Sequence, residues 1–203
     1  MHEVYKVEYR GCVIKAYYDQ DASHTNPIDK MKYDDTFIWA VWERNSIFSD
    51  RDYRPVDDPS EMPDWAEENG YELFPLFKYE HSGVAYSIAP FSCRWDSGQV
   101  GYLAIKKSAF TSPEAKPLQE YAEQFVKTAG AWCNGEVYGY TAYTEDGEDI
   151  DSCWGFIGDD GYSWRNEDCY MIQQAKENID YYLKEQAEIP YKYQEDADAA
   201  MNG

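Results

Sequence analysis

Cys93, Asp96, Ser97 and His81 are the residues of this sequence whose types and spacing could do chemistry. A cysteine or serine nucleophile needs a base within hydrogen-bond reach, and the base needs an orienting partner. Cys93 or Ser97 would be the nucleophile, His81 the base and Asp96 the orienter. The competing reading is structural. In it Asp96 and Ser97 cap a tight turn, Gly98 takes a positive φ, Trp95 anchors the loop in the core, and Cys93 is a small buried hydrophobe. The structural reading is preferred, because no strand–turn–helix context surrounds the cluster. Ser-Cys-Trp also recurs, at Ser92-Cys93-x-Trp95 and Ser152-Cys153-Trp154. The expectation is two strand ends packing a Trp into one core, since both residue types are usually well buried.

The four residues lie in one stretch, 80–105 (EHSGVAYSIAPFSCRWDSGQVGYLAI). His81-Ser82-Gly83 punctuates two β-type runs, 73–79 and 84–89, as a hairpin turn would. Pro90 ends the second run. A third strand is expected over 99–105, and the three together read as a meander. Around it, 3–18 reads as two short strands with Arg10-Gly11 near the turn. Thr36 to Trp42 (TFIWAVW) reads as a buried strand or a short helix, and 64–69 as at most two helical turns closed by Gly70. Leu118, Tyr121, Ala122, Phe125, Val126 and Ala129 recur at helical period, with Pro113 or Pro117 in the first turn and Gly130 or Gly135 at the end.

Asp146-Gly147 is a favoured hairpin turn pair. A two-residue turn there sets Tyr143 opposite Ile150, Thr141 opposite Ser152, Gly139 opposite Trp154 and Val137 opposite Phe156, on a face expected to meet the core. Tyr140 and Cys153 then pair on the other face. The last element is a helix over about 167–186, with Asn166 as N-cap and a buried stripe of Ile172, Ala175, Ile179, Tyr182 and Leu183. Pro190 is expected to stop it and to leave 194–203 as a mobile acidic tail. The fold class is α+β: an antiparallel sheet, meander plus hairpin, with two main helices packed on one face. Residues 1–193 are taken as one domain, with 19–70 its acidic, loop-rich part.

The 203 residues carry a formal net charge of −21, with 20 Tyr and 7 Trp to supply a core. Direct attraction to nucleic acid or anionic lipid is unfavourable at that charge, and attraction to a basic protein is favourable. No apolar run reaches the ~20 residues of a membrane span, and MHEVYKVEYRGCVIKAYY, with no basic stretch followed by an apolar one, is not expected to act as a secretory signal. Five cysteines without C-x-x-C spacing and three scattered histidines point to a reducing cytoplasm, with no cofactor and no metal. There is no phosphate-binding glycine loop, G-x-S-x-G or H-E-x-x-H.

The charge is segregated. Residues 19–70 hold 14 acidic and 5 basic side chains, and 145–168 hold 9 and 1, while 71–144 hold 7 and 6. The carboxylate clusters are Asp34-Asp35, Asp57-Asp58, Glu67-Glu68, Asp149/Asp151 and Asp159-Asp160. Adjacent pairs converge poorly on a cation, and no D-x-D-x-D-G loop is present. Two readings stay open. The acidity either serves solubility, or it presents phosphate-like charge to a protein that normally grips DNA or RNA. On the second reading Asp34, Asp35, Asp57, Asp58, Asp149, Asp151, Asp159 and Asp160 bind the partner and share one face.

Asn26-Pro27, Asp34, Arg44, Asp50, His81-Ser82-Gly83, FSCRWDSGQVG at 91–101, EVYGY at 136–140 and DSCWGFIGDD at 151–160 together resemble, in type and spacing, a family of bacteriophage and mobile-element proteins. The resemblance runs from about 26 to 162, and its central motif is long and specific. It departs at Phe37-Ile38, where the family has Gly-Thr, and at Glu43, where the family has His. A member lacking that His is expected to be inactive if the His is catalytic. The resemblance implies a context, the cytoplasm of an infected host, more than an activity. The functional expectation is therefore a non-enzymatic acidic protein that inhibits a host nucleic-acid-binding or defence protein by charge mimicry. The alternatives are an enzyme using the 81–98 loop, and a structural or regulatory phage protein whose acidity is incidental.

Overall fold

The structure, a computed structural model, describes residues 3–29, 34–43, 54–158 and 169–201, with side chains up to residue 188. Its main elements are β1 (Glu3–Tyr9), β2 (Cys12–Tyr18), β3 (Phe37–Val41), α1 (Met62–Asn69), β4 (Tyr71–Glu80), β5 (Val84–Ser87), β6 (Ser97–Lys106), α2 (Leu118–Cys133), β7 (Val137–Tyr143), β8 (Asp149–Ile157) and α3 (Tyr170–Met201). The strands form two antiparallel four-stranded sheets, ordered β1-β2-β7-β8 and β3-β6-β4-β5, so the chain is α+β. Where the sequence suggests one domain over 1–193, the chain makes two compact units: 1–20 with 137–203, and 21–136. Each main helix covers one face of a sheet of its own, α3 in the first unit and α2 in the second.

In the first unit, alternation along β2 and β7 sends Cys12, Ile14, Ala16, Tyr138, Tyr140 and Ala142 to one face, where Met171, Ile172, Ala175 and Ile179 of α3 meet them. The β7–β8 hairpin departs from the expected two-residue turn. Gly147 N–H donates to Thr144 O (3.0 Å) and Thr144 N–H to Glu148 O (2.9 Å), which makes a three-residue loop with Gly147 at φ +86°. That loop pairs Tyr143 with Asp149. A bulge at Ile150 then absorbs the extra residue, so Thr141↔Ser152, Tyr140↔Cys153 and Gly139↔Trp154 keep the expected register. A second bulge at Gly155 shifts Tyr138 onto Phe156 and Val137 onto Ile157.

The expected core face is inverted. Tyr140 and Cys153 look toward α3, and Gly139 and Trp154 lie on the opposite face. Both faces of VYGYTAY carry aromatic or apolar residues, so alternation alone does not choose between them. On the α3 side the Tyr140 hydroxyl finds partners, donating to Asp151 Oδ2 and accepting from Asn178 Nδ2–H. Trp154 does cover Gly139: a Cβ there would lie 2.2 Å from the indole.

α3 also runs on through Pro190 to Met201, where a stop and a tail were expected. A proline removes one backbone bond and crowds the preceding turn, and it leaves the following residues free to be helical. Those residues include Glu, Gln and several Ala, all good helix formers. The expected N-cap, Asn166 with Glu167 and Asp168, lies outside the described residues.

In the second unit the sheet is covered on both faces. Trp39, Val41, Leu76, Leu103 and Ile105 pack under Ala122, Val126 and Ala129 of α2. Ala40, Ala104 and Tyr71 pack against Met62 and Ala66 of α1. This explains the unbroken apolar run at β3, which alternation could not resolve into strand or helix. The meander is corrected: β6 pairs with β4, not with β5. Residues 88–96 carry the chain across the end of β4, where Glu80 N–H donates to Asp96 O (2.9 Å). Pro75 is tolerated in β4 because β5 pairs only with 77–80, so one side of β4 is an edge at that point. Val100 bulges out of β6, between Leu76↔Gly101 and Phe77↔Gln99.

Candidate functional site

The 88–96 loop is braced at several points. Phe91 packs on Tyr79, with ring centroids 5.7 Å apart. Ser97 Oγ–H donates to Cys93 O. Cys93 Sγ–H donates to Asp96 Oδ2 at 3.6 Å, and His81 Nδ1 lies 3.8 Å from the same oxygen. The structure therefore brings together all four residues singled out by type and spacing. Their order is Cys–Asp–His. A nucleophilic relay needs the imidazole between the thiol and the carboxylate, so that the ring takes the thiol proton. Here the carboxylate holds the middle, and Ser97 spends its proton on a carbonyl.

Three parts of the structural expectation also fail. Trp95 is 96% exposed and anchors nothing, Cys93 is only half-buried, and Gly98 has no positive φ. Gly98 instead pairs with Lys78 as the second residue of β6, so it needs the extended backbone of a strand. The two Ser-Cys-Trp segments share no core: they lie in different units, and Trp154 is 38% exposed and stacked on Tyr17. The loop orders its backbone through Asp96 and holds an indole out in water.

Beside it, the first half of β6 lines an open groove of about 550 Å³. Its walls are Trp42, Glu43, Pro59, Ser60, Gln99, Val100, Gly101 and Tyr102. Trp42 is fixed by its Nε1–H, which donates to Asp57 O at 2.7 Å, and it meets Tyr102 edge to face at 6.4 Å. Val100 O accepts from Trp42 N–H at 3.0 Å, which ties the groove to the bulge. Glu43 is held by Lys78 Nζ, 3.2 Å from each carboxylate oxygen, and Lys78 also reaches Glu80 at 2.5 Å. The Lys78 side chain is only 11% exposed. Burial pulls its pKa down, but the bonds to Glu80 and Glu43 outweigh this and raise it above the ordinary lysine value. Type and spacing did not single out this groove. Its one sequence signal was that Gln99 and Gly101 belong to the FSCRWDSGQVG stretch.

The acidic candidates fare differently. Asp34 accepts from the Thr36 hydroxyl and N–H, and Asp58 from the Ser60 N–H and hydroxyl; these bonds hold both carboxyls below the usual range. Asp35 pairs with Lys106, and Asp57 is exposed. These four belong to the second unit, and Asp149 and Asp151 to the first. Asp149 is exposed. Asp159 and Asp160 lie outside the described residues.

Asp151 faces α3. Its Oδ2 accepts from Tyr140 Oη–H at 2.5 Å and from Asn178 Nδ2–H at 2.6 Å. Burial, then the adjacent carboxylate, pushes the Tyr140 hydroxyl well above its ordinary value. Asp151 therefore supports the scaffold. Asp151→Ala is expected to lower stability by ~1–3 kcal/mol in denaturant melts, because the buried Tyr140 hydroxyl and the half-buried Asn178 amide lose their acceptor. Partner capture by the folded variant should stay at the wild-type level.

Cys133, at the end of α2, is pushed up to about 11 by burial, against a smaller opposing bond to Tyr86. At pH 8 its thiolate is therefore a small minority. A brief iodoacetamide pulse at pH 8, read by peptide mass mapping, should label Cys93 well before Cys133. Equal rates would show that the thiol of the half-buried Cys133 is not raised in this way. Among the described residues no group of three His, Cys, Asp or Glu side chains is arranged to hold a metal, and no helix is long and apolar enough to cross a membrane.

Comparison of the chain with models of protein families, with curated proteins and with solved structures finds no match.

Proposed function

We propose that this chain is a non-enzymatic acidic binding protein whose partner carries a basic, nucleic-acid-binding surface. The observation that carries the reading is Trp95: 96% exposed, on a loop braced through Asp96, in a chain of net charge −21. An indole held in water on an ordered loop loses little conformational entropy on docking, and Trp is the residue type most enriched among interface hot spots. The chain's net negative charge speeds the encounter with a basic partner and rejects acidic ones. The resemblance of its motifs supports a phage or mobile-element origin for the protein. There it acts in the host cytoplasm on a defence or other nucleic-acid-handling protein, by DNA-mimic charge. The enzymatic alternative has the proximity of Cys93 and His81 in its favour, with Asp96 interposed against it.

Capture from host lysate at ~50 mM and ~500 mM salt, with and without competing duplex DNA, tests this. The expected partner is basic, is lost as salt rises, and is displaced by the duplex. A partner retained at high salt and indifferent to DNA would overturn the mimic reading. A folded Cys93→Ser protein that kept its partner but had lost its biological effect would favour the enzyme.

A further inference from the structure

The Trp95 loop is tied to the end of β4 and the turn after it. Phe91 packs on Tyr79, Asp96 O accepts from Glu80 N–H, and Asp96 Oδ2 faces His81 Nδ1. The base of the loop continues this contact, since Ser97 pairs with Tyr79 and Gly98 with Lys78. One step further back, the Lys78 ammonium lies 3.2 Å from both carboxylate oxygens of Glu43 and 2.5 Å from Glu80. Two carboxylates, their nearest oxygens no more than about 6 Å apart, thus share one positive charge. The side chains of Lys78 and Glu43 are 11% and 29% exposed, so water screens that pair poorly. Glu80 is the member that reaches solvent.

We propose that Lys78 is a positioning residue for Trp95. Its ammonium neutralises Glu43 and Glu80 at the sheet end, and the Glu80 N–H in turn holds Asp96, the residue next to the indole. Without that ammonium the two carboxylates repel, Glu80 is driven away from Glu43, and the loop base loosens. The inference rests on the binding reading above, and it adds what keeps the indole in place for docking. Cys133 of α2 also interacts with Lys78, but its raised thiol stays protonated through the neutral and acid range and leaves this balance unchanged.

The test reads backbone amide order over 91–97 by NMR relaxation in the whole protein. Lys78→Met keeps the aliphatic stem and removes the charge. At neutral pH its loop order parameters are expected to fall from about 0.85 to below about 0.6. Order should return near pH ~5, where carboxylates begin to take up protons. It should also return at neutral pH in Lys78→Met with Glu43→Gln, where the repulsion is gone, and Lys78→Arg should keep the wild-type order. A side chain that only fills space would respond neither to acid nor to Glu43→Gln. Lysate capture by Lys78→Met should fall about fivefold, because the loop must then be ordered on docking. If Lys78→Met does not fold, Lys78→Gln drops the charge, keeps a hydrogen-bond donor and is read in the same way. Wild-type loop order without the charge, or mobility that neither acid nor Glu43→Gln relieves, would overturn the proposal and leave the binding reading standing. A mobile loop with wild-type capture would keep the positioning role and sink the reading in which an ordered Trp95 carries the docking.

Discussion

Gly101→Ala is expected to destabilise the second unit by ~3 kcal/mol or more, with Tm falling by roughly 10–20 °C. A Cβ at Gly101 would lie 1.9 Å from Ala40 O and 2.9 Å from Val41 Cα. These are backbone atoms of the paired strand β3, and no rotamer change can move them aside. Relief requires β3 and β6 to separate, which uncovers Trp39, Leu103 and Ile105 on one face and Ala40 and Ala104 on the other. Gly130→Ala is the control. Its Cβ would sit 3.4 Å from Val84 O, in ordinary contact, and a helical Gly-to-Ala change gains up to ~1 kcal/mol of propensity. Far-UV circular dichroism in denaturant measures both. A Gly101→Ala protein as stable as wild type would show that Val41 does not pair with Gly101.

Local signals in the sequence were legible where one residue decides the outcome. Arg10-Gly11 makes the β1–β2 turn with both residues at positive φ, Gly70 ends α1, and the 118–129 stripe is α2. Gly139 opposite Trp154 survived because the Ile150 bulge cancels the longer turn. What failed was what depends on distant partners. Pairing β6 with β4 is decided by the crossing of 88–96 and the docking of β3, neither of which leaves a periodic trace. The orientation of β7 depends on Asn178, which is more than 30 residues away in sequence. The site was half legible. Residue types brought His81, Cys93 and Asp96 together correctly, but they could not give the order of the three, which decides the chemistry. Trp95 misled because a Trp is buried on average, and the average says nothing of a loop tip whose neighbours are Arg94 and Asp96.

Trp95→Ala separates the two roles that a tryptophan can have. A core Trp truncated to Ala costs ~3–5 kcal/mol. At 96% exposure there is almost no buried area to lose, and the loop's internal bonds run through Asp96, Ser97, Cys93 and His81, none of which uses the indole. The variant is therefore expected to melt within ~0.5 kcal/mol of wild type. Partner capture should fall at least about 30-fold, the factor for a hot-spot loss of ~2 kcal/mol. Trp95→Phe should recover part of it, because a ring still enters the partner's pocket. Wild-type capture by a folded Trp95→Ala protein would remove the observation on which the binding reading rests. A large loss of stability would return Trp95 to the core where its residue type first placed it.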